Sequence, residues 1–327
     1  MIFKAVIINK QDDVYSVEPG EFNTADLMEG DTVVRVSHSS VNYKDGLAVT
    51  NRAPVVRRFP MVPGIDMVGV VEETTAPGIS VGDAVILNGW GTGETHLGAW
   101  AEKSRVPGEW LVPLPKDLSA EQAAAIGTAG YTAALCVLGL QDGGVTPESG
   151  PVLVTGAAGG VGSVAIALLG SLGYHVIAST GRPEEGDYLK KLGAAEIIAR
   201  DELSGKPRAL GKERWAGAVD SVGSTTLANV LSMTRYGGTV TCCGLAGGMD
   251  LPASVAPFIL RGVKLVGIDS VMAARDLRLR AWTLLEQKLE RNLLAEMSTV
   301  VPLSQAIEVG QQIVDGKVRG RVVVKID

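Results

Sequence analysis

The chain has 327 residues, 36 acidic and 30 basic side chains, a formal net charge of −6 and only three cysteines, Cys136, Cys242 and Cys243. That length predicts two lobes with a sizeable core, and the absence of CxxC spacing argues against both a disulfide framework and a cysteine-based metal site. An acidic balance without a Lys/Arg block excludes a broad nucleic-acid surface, and no basic segment followed by an apolar one opens the sequence, so a cytoplasmic location is expected.

In chain order, residues 1–127 carry short β-branched runs (Ala5–Ile8, Thr32–Val36, Val68–Val71, Ala84–Leu87) separated by Gly, Pro and Asp turns, the texture of a β-rich lobe. From Pro151 the pattern becomes strand then helix, repeatedly, which implies a parallel sheet covered by helices. Pro151–Gly181 contains no Lys, Arg, Asp or Glu, yet glycines divide it into short turn-flanked pieces, so it predicts buried core and no membrane span. A charged, helix-periodic segment, Ala274–Arg291, then leads to "RVVVKI", which is closer in character to the opening lobe. The expected organisation is α/β: a doubly wound nucleotide lobe at 128–271 and a discontinuous β-rich lobe at 1–127 and 272–327. "GVKLVGIDS" predicts an apolar edge strand suited to pairing with a second copy, hence a homodimer.

"VLVTGAAGGVGSVAIALL" places a strand before a glycine turn and a helix after it, the context in which missing Cβ atoms and a helix N-terminus bind a pyrophosphate. The spacing, Gly156-x-x-Gly159-x-x-Gly162, departs from strict G-x-G-x-x-G, and an unliganded tight turn is the competing reading. The next strand ends in Ser179, Thr180, Gly181 and Arg182, where an acid would bind the ribose hydroxyl of NAD. A carboxylate there repels a 2′-phosphate, whereas hydroxyls and a guanidinium hold it, so the expected cofactor is NADP(H). Arg200, after "AAEIIA", is placed to flank the same pocket; solvated turn residues are the alternative for both arginines.

The blocks "SSVNYKDGL", "PGIDMVGVV", "GTAGYTAA", "TGAAGGVGS" and "GKVRGRVVVKI" together resemble the medium-chain dehydrogenase/reductase superfamily, whose fold joins a GroES-like lobe to a Rossmann lobe. "LNGWGTGETHLGAWAE", "WAGAVDSVG", "CGLAGG" and "PFILRGVKLVGIDSVM" further resemble its NADPH-dependent acryloyl-CoA reductases. Zinc members carry a Cys in the first motif and His-Glu after Pro-Gly; this chain has Asn42 and Ile65-Asp66, and its histidines His38, His96 and His175 are scattered, so no metal is expected. The resemblance implies cofactor contacts from Tyr43, Ala158, Gly159, Gly160, Val161, Thr180, Gly181, Arg182, Arg200, Leu245, Ile259, Ser270 and Lys317.

A nicotinamide enzyme without a Lewis acid suits conjugate reduction, in which hydride reaches the β-carbon of an activated alkene and the α-carbon is then protonated. Tyr43 is the candidate for the catalytic hydroxyl, its competing role being packing against the cofactor. Asn42 and Asp45 are expected to shape the same loop and Asp66 to hold the lobe together. An acyl-CoA substrate adds phosphates that Arg57, Arg58, Lys103 or Arg105 could meet. Reduction of acryloyl-CoA to propanoyl-CoA is the leading expectation; a quinone or enone reductase and a nucleotide-binding scaffold are the competing ones.

Overall fold

The computed structural model describes residues 1–12 and 14–326. Ile2–Gln11 (β1) and Val14–Asn23 (β2) form an antiparallel pair, followed by Thr32–Val41 (β3), the short helix Tyr43–Thr50 (α1), Asp66–Thr74 (β4), Ala84–Asn88 (β5), Lys103–Val106 (β6) and Val112–Pro113 (β7). The helical segment Ala120–Asp142 (α2) is broken at Gly127, whose φ of 49° lies in the left-handed region. Strands and helices then alternate: Val152–Val154 (β8), Gly160–Ser171 (α3), Val176–Thr180 (β9), Gly186–Lys191 (α4), Ala194–Ala199 (β10), Trp215–Asp220 (β11), Ser224–Ser232 (α5), Thr234–Cys242 (β12), Ala256–Arg261 (α6) and Lys264–Gly267 (β13). Arg275–Lys288 (α7), Arg291–Met297 (α8), Ser298–Pro302 (β14), Ala306–Val314 (α9) and Arg321–Lys325 (β15) complete the chain.

Two units result. The first comprises residues 1–128, 270–274 and the chain from 297 onward; the second comprises 129–269 and 275–296. The expected return to the first lobe at residue 272 is thus interrupted, because α7 buries Arg278, Ala281, Trp282 and Leu285 within the nucleotide unit, with the Arg278 guanidinium 5.4 Å from the Tyr131 ring. The apolar α2 is long enough by composition to cross a membrane, but 89% of its most apolar window is buried in the protein, so that surface serves as core.

In the second unit six parallel strands run β10-β9-β8-β11-β12-β13, and the order reverses between β8 and β11, where a doubly wound sheet opens its ligand crevice. The first unit is built on the sheet β14-β15-β3-β4-β5-β7, with β6 paired to β3. The fully buried Trp100 anchors its core and donates Nε1–H to the Ser40 carbonyl at 3.1 Å.

Within that unit α1 is fixed from several sides. A Cβ on Gly46 would lie 2.6 Å from Val314 Cγ2 and 2.7 Å from Ile313 Cγ2, so only glycine lets α1 approach α9 this closely. Tyr15 Oη donates to the Ala48 carbonyl at 2.6 Å. At the N-terminus the Asp45 carboxylate accepts from Asn42 N (2.8 Å), Asn42 Nδ2 (3.3 Å), Gly64 N (3.1 Å) and Ile65 N (3.0 Å), tying the start of the helix to the segment before β4. Burial pushes the Asp45 pKa from 3.8 up to about 7, against the pull of these donors.

Because its folded-state value lies above its unfolded one, the stability Asp45 contributes is complete below about pH 4 and is lost as pH rises through 7. Asp45→Asn, which cannot titrate, should therefore flatten the decline in unfolding free energy between roughly pH 5 and 8. It should also lower stability by about 1–3 kcal/mol at acid pH, since an amide NH₂ then faces N–H donors. Urea titrations at several pH values measure both effects; an unchanged pH slope would contradict the assignment.

Candidate active site

The glycine turn after β8 gives each glycine a different task. Gly156 adopts a φ of 59°, and a Cβ on Gly162 would stand 2.7 Å from Ala157 Cα, so these two serve the turn and the close seating of α3. A Cβ on Gly159 would meet nothing nearer than the Gly156 carbonyl oxygen at 3.3 Å, so this backbone is open to approach. Ala158, Gly159, Gly160 and Val161 form the entry to the twelve-residue α3, where unpaired N–H groups and the positive helix end favour an anion.

Thr180 closes β9 opposite Ala199 of β10 in register, so Gly181 and Arg200 leave the sheet side by side. Thr180 Oγ1 accepts from Arg182 N at 3.0 Å, and Arg182 Nη2 lies 3.5 Å from the Ala158 carbonyl, which brings the strand end against the glycine turn. Arg182 Nη1 also stands 3.9 Å from Glu185 Oε1. The open backbone at Gly159, the acid-free strand end and the two guanidinium groups fit a dinucleotide carrying a 2′-phosphate.

An open cavity of about 550 Å³ lies beyond the carboxyl ends of β11, β12 and β13, lined in part by Ser224, Cys243, Leu245, Met249 and Ile268. Asp220 ends β11 beneath it; Thr155 Oγ1 donates to its carboxylate at 2.7 Å and Gly223 N at 2.7 Å, while burial raises its pKa. Leu245 is 57% and Ile259, on α6, is 74% exposed, so both present apolar surface to a ligand or a partner.

In the first unit Tyr43 is the first residue of α1 and is 46% exposed, while its neighbour Asn42 is buried. Asn42 belongs to a network around Asp66, which is 1% exposed. Asp66 Oδ1 accepts from Asn88 Nδ2 (2.6 Å) and Thr128 Oγ1 (2.6 Å), Oδ2 accepts from Ser40 Oγ (2.5 Å) and Asn42 Nδ2 (2.8 Å), and Thr128 N lies 2.9 Å from both oxygens. Arg321, 2% exposed, donates Nε–H to the Ala125 carbonyl (2.8 Å), Nη1–H to Asn42 Oδ1 (3.1 Å) and Nη2–H to Ser40 Oγ (3.0 Å), and its Nη2 stands 3.8 Å from Asp66 Oδ2. A Cβ on Gly127 would sit 2.5 Å from both Asp66 Oδ2 and Arg321 Nη2.

Asn42 and Ile65-Asp66 are the residues that the resemblance sets at the ligand positions of zinc members, and their surroundings do not fit a zinc ion. Asn42 is engaged through both amide atoms, and the single carboxylate already has a guanidinium beside it that would repel a dication. Among the described residues no group of three or more His, Cys, Asp or Glu is arranged to hold a metal. His96 instead packs edge-on against Trp110, and its Nδ1 lies 3.1 Å from the Leu97 carbonyl.

Of the remaining candidates, Ser270 lies in the first unit just beyond β13, and the exposed Lys317 follows α9 with Nζ 3.3 Å from Asp315 Oδ2. Lys103 is committed to an ion pair with Glu72, and Arg58 Nη1 lies 3.3 Å from Met28 Sδ. The part of the site that motif reading did not single out is the set Ser40, Asn88, Thr128 and Arg321: each lies within a quoted block, but nothing in those blocks shows that the four meet around Asp66.

Residues 28–116 match the alcohol dehydrogenase GroES-like domain and residues 160–287 match the zinc-binding dehydrogenase family. The chain is 48% identical to acrylyl-CoA reductase AcuI of Ruegeria pomeroyi, with both sequences covered completely (100% each). It superposes with a TM-score of 0.97 on the yhdH oxidoreductase of Salmonella enterica in complex with NADP, at 47% identity over 99% of this chain and 100% of that one. Bacillus subtilis yhfP, solved with NAD bound, gives a TM-score of 0.95 at 43% identity over 99% of each chain; it is known as putative quinone oxidoreductase YhfP. With a GroES-like match, a nucleotide unit of doubly wound topology and relatives of this closeness over its whole length, the chain belongs to the medium-chain dehydrogenase/reductase family.

Proposed function

We propose that the protein is an NADPH-dependent reductase that converts acryloyl-CoA to propanoyl-CoA. The observation that carries this reading is the likeness to acrylyl-CoA reductase at 48% identity along the entire chain. The cofactor's chemistry, when bound, is donation of a hydride to the β-carbon of the substrate alkene. What remains for the protein is to bind the thioester, bear the negative charge that moves onto its carbonyl oxygen, and see a proton delivered to the α-carbon.

Tyr43 is the side chain we assign to that task. Its hydroxyl belongs to an exposed residue at the start of a helix whose position is set by Asn42 and Asp45, themselves tied to the Asp66–Arg321 network. A rigid foundation beneath an accessible hydroxyl is what positioning of an acid requires. The residues around the glycine turn and Thr180, Gly181, Arg182 and Arg200 hold the nucleotide, and Leu245, Ile259, Ser270 and Lys317 supply further contacts to it.

The protein works on this reading in the cytoplasm as a homodimer. The dimer is supported by β13, the edge strand of its sheet, and by exposed Val255, Ile259 and Leu260 beside it in the chain, a combination that favours isologous strand pairing. Light scattering at micromolar concentration should give twice the 34.1 kDa chain mass; a monomer would contradict the pairing.

The substrate reading is tested by following NADPH oxidation after exhaustive chelation with acryloyl-CoA, with a quinone and with no acceptor. Rapid turnover of acryloyl-CoA is expected; a preference for the quinone would favour the activity named for the Bacillus relative, and no turnover with either would favour a binding role. Tyr43→Phe should lower single-turnover reduction by about 10²–10⁴-fold, the scale of a general acid, with little change in NADPH affinity. Equal losses in binding and rate would reduce Tyr43 to a cofactor contact.

A further inference from the structure

Gly181 is a glycine that the backbone does not require. Its φ lies outside the left-handed region, unlike that of Gly156 or Gly127, and the residue is exposed at the end of β9. Its missing Cβ is nevertheless significant, because an atom there would stand 2.7 Å from Arg200 Cζ, 2.9 Å from Nε and 2.9 Å from Nη2. The Arg200 guanidinium therefore lies directly on the Gly181 backbone, in the space that any side chain would occupy. The register that pairs Thr180 with Ala199 makes the approach automatic, since the two following residues leave adjacent strands together.

Arg200 itself is exposed and follows β10 directly. Among the described residues it forms no hydrogen bond within 3.5 Å and no ion pair within 4.0 Å, although acidic Asp201 and Glu202 follow it directly. A guanidinium carries five N–H donors in a fixed plane, and one seated on a peptide keeps those donors available for an anion. Arg182 lies across the same turn, with its backbone N–H on Thr180 Oγ1 at 3.0 Å.

We propose that Gly181 is a specificity-determining residue: by leaving room for the Arg200 guanidinium against its own backbone, it sets the position from which that cation meets the 2′-phosphate half of the nucleotide. This inference rests on the reading that NADPH is the cofactor. It assigns Gly181 a function through Arg200, separate from any contact its own peptide makes. A methyl group at 181 displaces the guanidinium without unfolding the chain, because the obstructed atoms are the mobile end of a long side chain and the backbone angle is ordinary.

The test is a double-mutant cycle on cofactor binding. NADPH and NADH affinities are measured by calorimetry for the unmodified protein, Gly181→Ala, Arg200→Ala and the double variant, after melting curves confirm that each is folded. The expected result is a roughly tenfold or greater loss of NADPH affinity in each single variant, the scale of a lost charge-assisted contact, with NADH affinity unchanged. The double variant should bind NADPH no more weakly than Arg200→Ala alone, because both changes remove the same interaction. Full NADPH preference in Gly181→Ala, or losses that simply add, would overturn the role of Gly181 while leaving the cofactor reading intact. Equal affinity for NADPH and NADH in the unmodified protein would remove the cofactor reading itself, and the inference with it.

Discussion

A buried carboxylate organises the β-rich lobe. Asp66 takes hydrogen bonds from Ser40, Asn42, Asn88 and Thr128, with Arg321 at 3.8 Å, and these partners arrive from separate strands and from the break in α2. An isolated charge with 1% exposure would be strongly disfavoured; donors on both oxygens and a guanidinium nearby make it tolerable. Such a pair is costly to break, since removing one partner leaves the other buried and uncompensated, typically at about 3–5 kcal/mol. The same network includes Asn42 and Asp66, two of the residues that the motif resemblance sets at the zinc-ligand positions of other members, and here they are tied up in hydrogen bonds. Through Asn42 and Asp45 that order extends to the helix that begins with Tyr43.

The nucleotide lobe reaches its chemistry differently. There the important groups are backbone N–H donors, helix ends and the spaces left by glycines, and polar side chains such as Thr155 and Asp220 brace the turns beneath them. Gly156, Gly159 and Gly162 illustrate three uses of a missing Cβ: a left-handed turn, an open approach and a tight seat for a helix. The cavity of about 550 Å³ at the carboxyl ends of β11 to β13 lies where doubly wound sheets bind ligands.

Local features were the ones legible in the amino-acid sequence. The strand, glycine turn and helix at 152–171 are contiguous, so period and punctuation expose them, and the absence of an acid after Ser179 is visible without coordinates. The surroundings of Asp66 were not legible, because the Arg321–Asn42 bond joins residues 279 positions apart and nothing in either segment advertises the other. Gly127 reads as one small residue in an apolar helix until its φ of 49° and its contact with the buried pair are seen. The boundary near residue 272 shifted for a similar reason: the burial of Arg278 and Trp282 in the nucleotide unit depends on tertiary packing that helical periodicity alone does not assign.

On the proposed function, a lobe organised by hydrogen bonds supports conjugate reduction of an acyl-CoA without a metal. The most direct measurement is a single turnover of acryloyl-CoA by chelated enzyme, using NADPH deuterated at the transferable position of the nicotinamide, with the label located in the product by NMR. The account predicts deuterium on the β-carbon of propanoyl-CoA and a solvent-derived proton on the α-carbon. Deuterium on the α-carbon, or no transfer to acryloyl-CoA by enzyme that oxidises the same cofactor with a quinone, would contradict it.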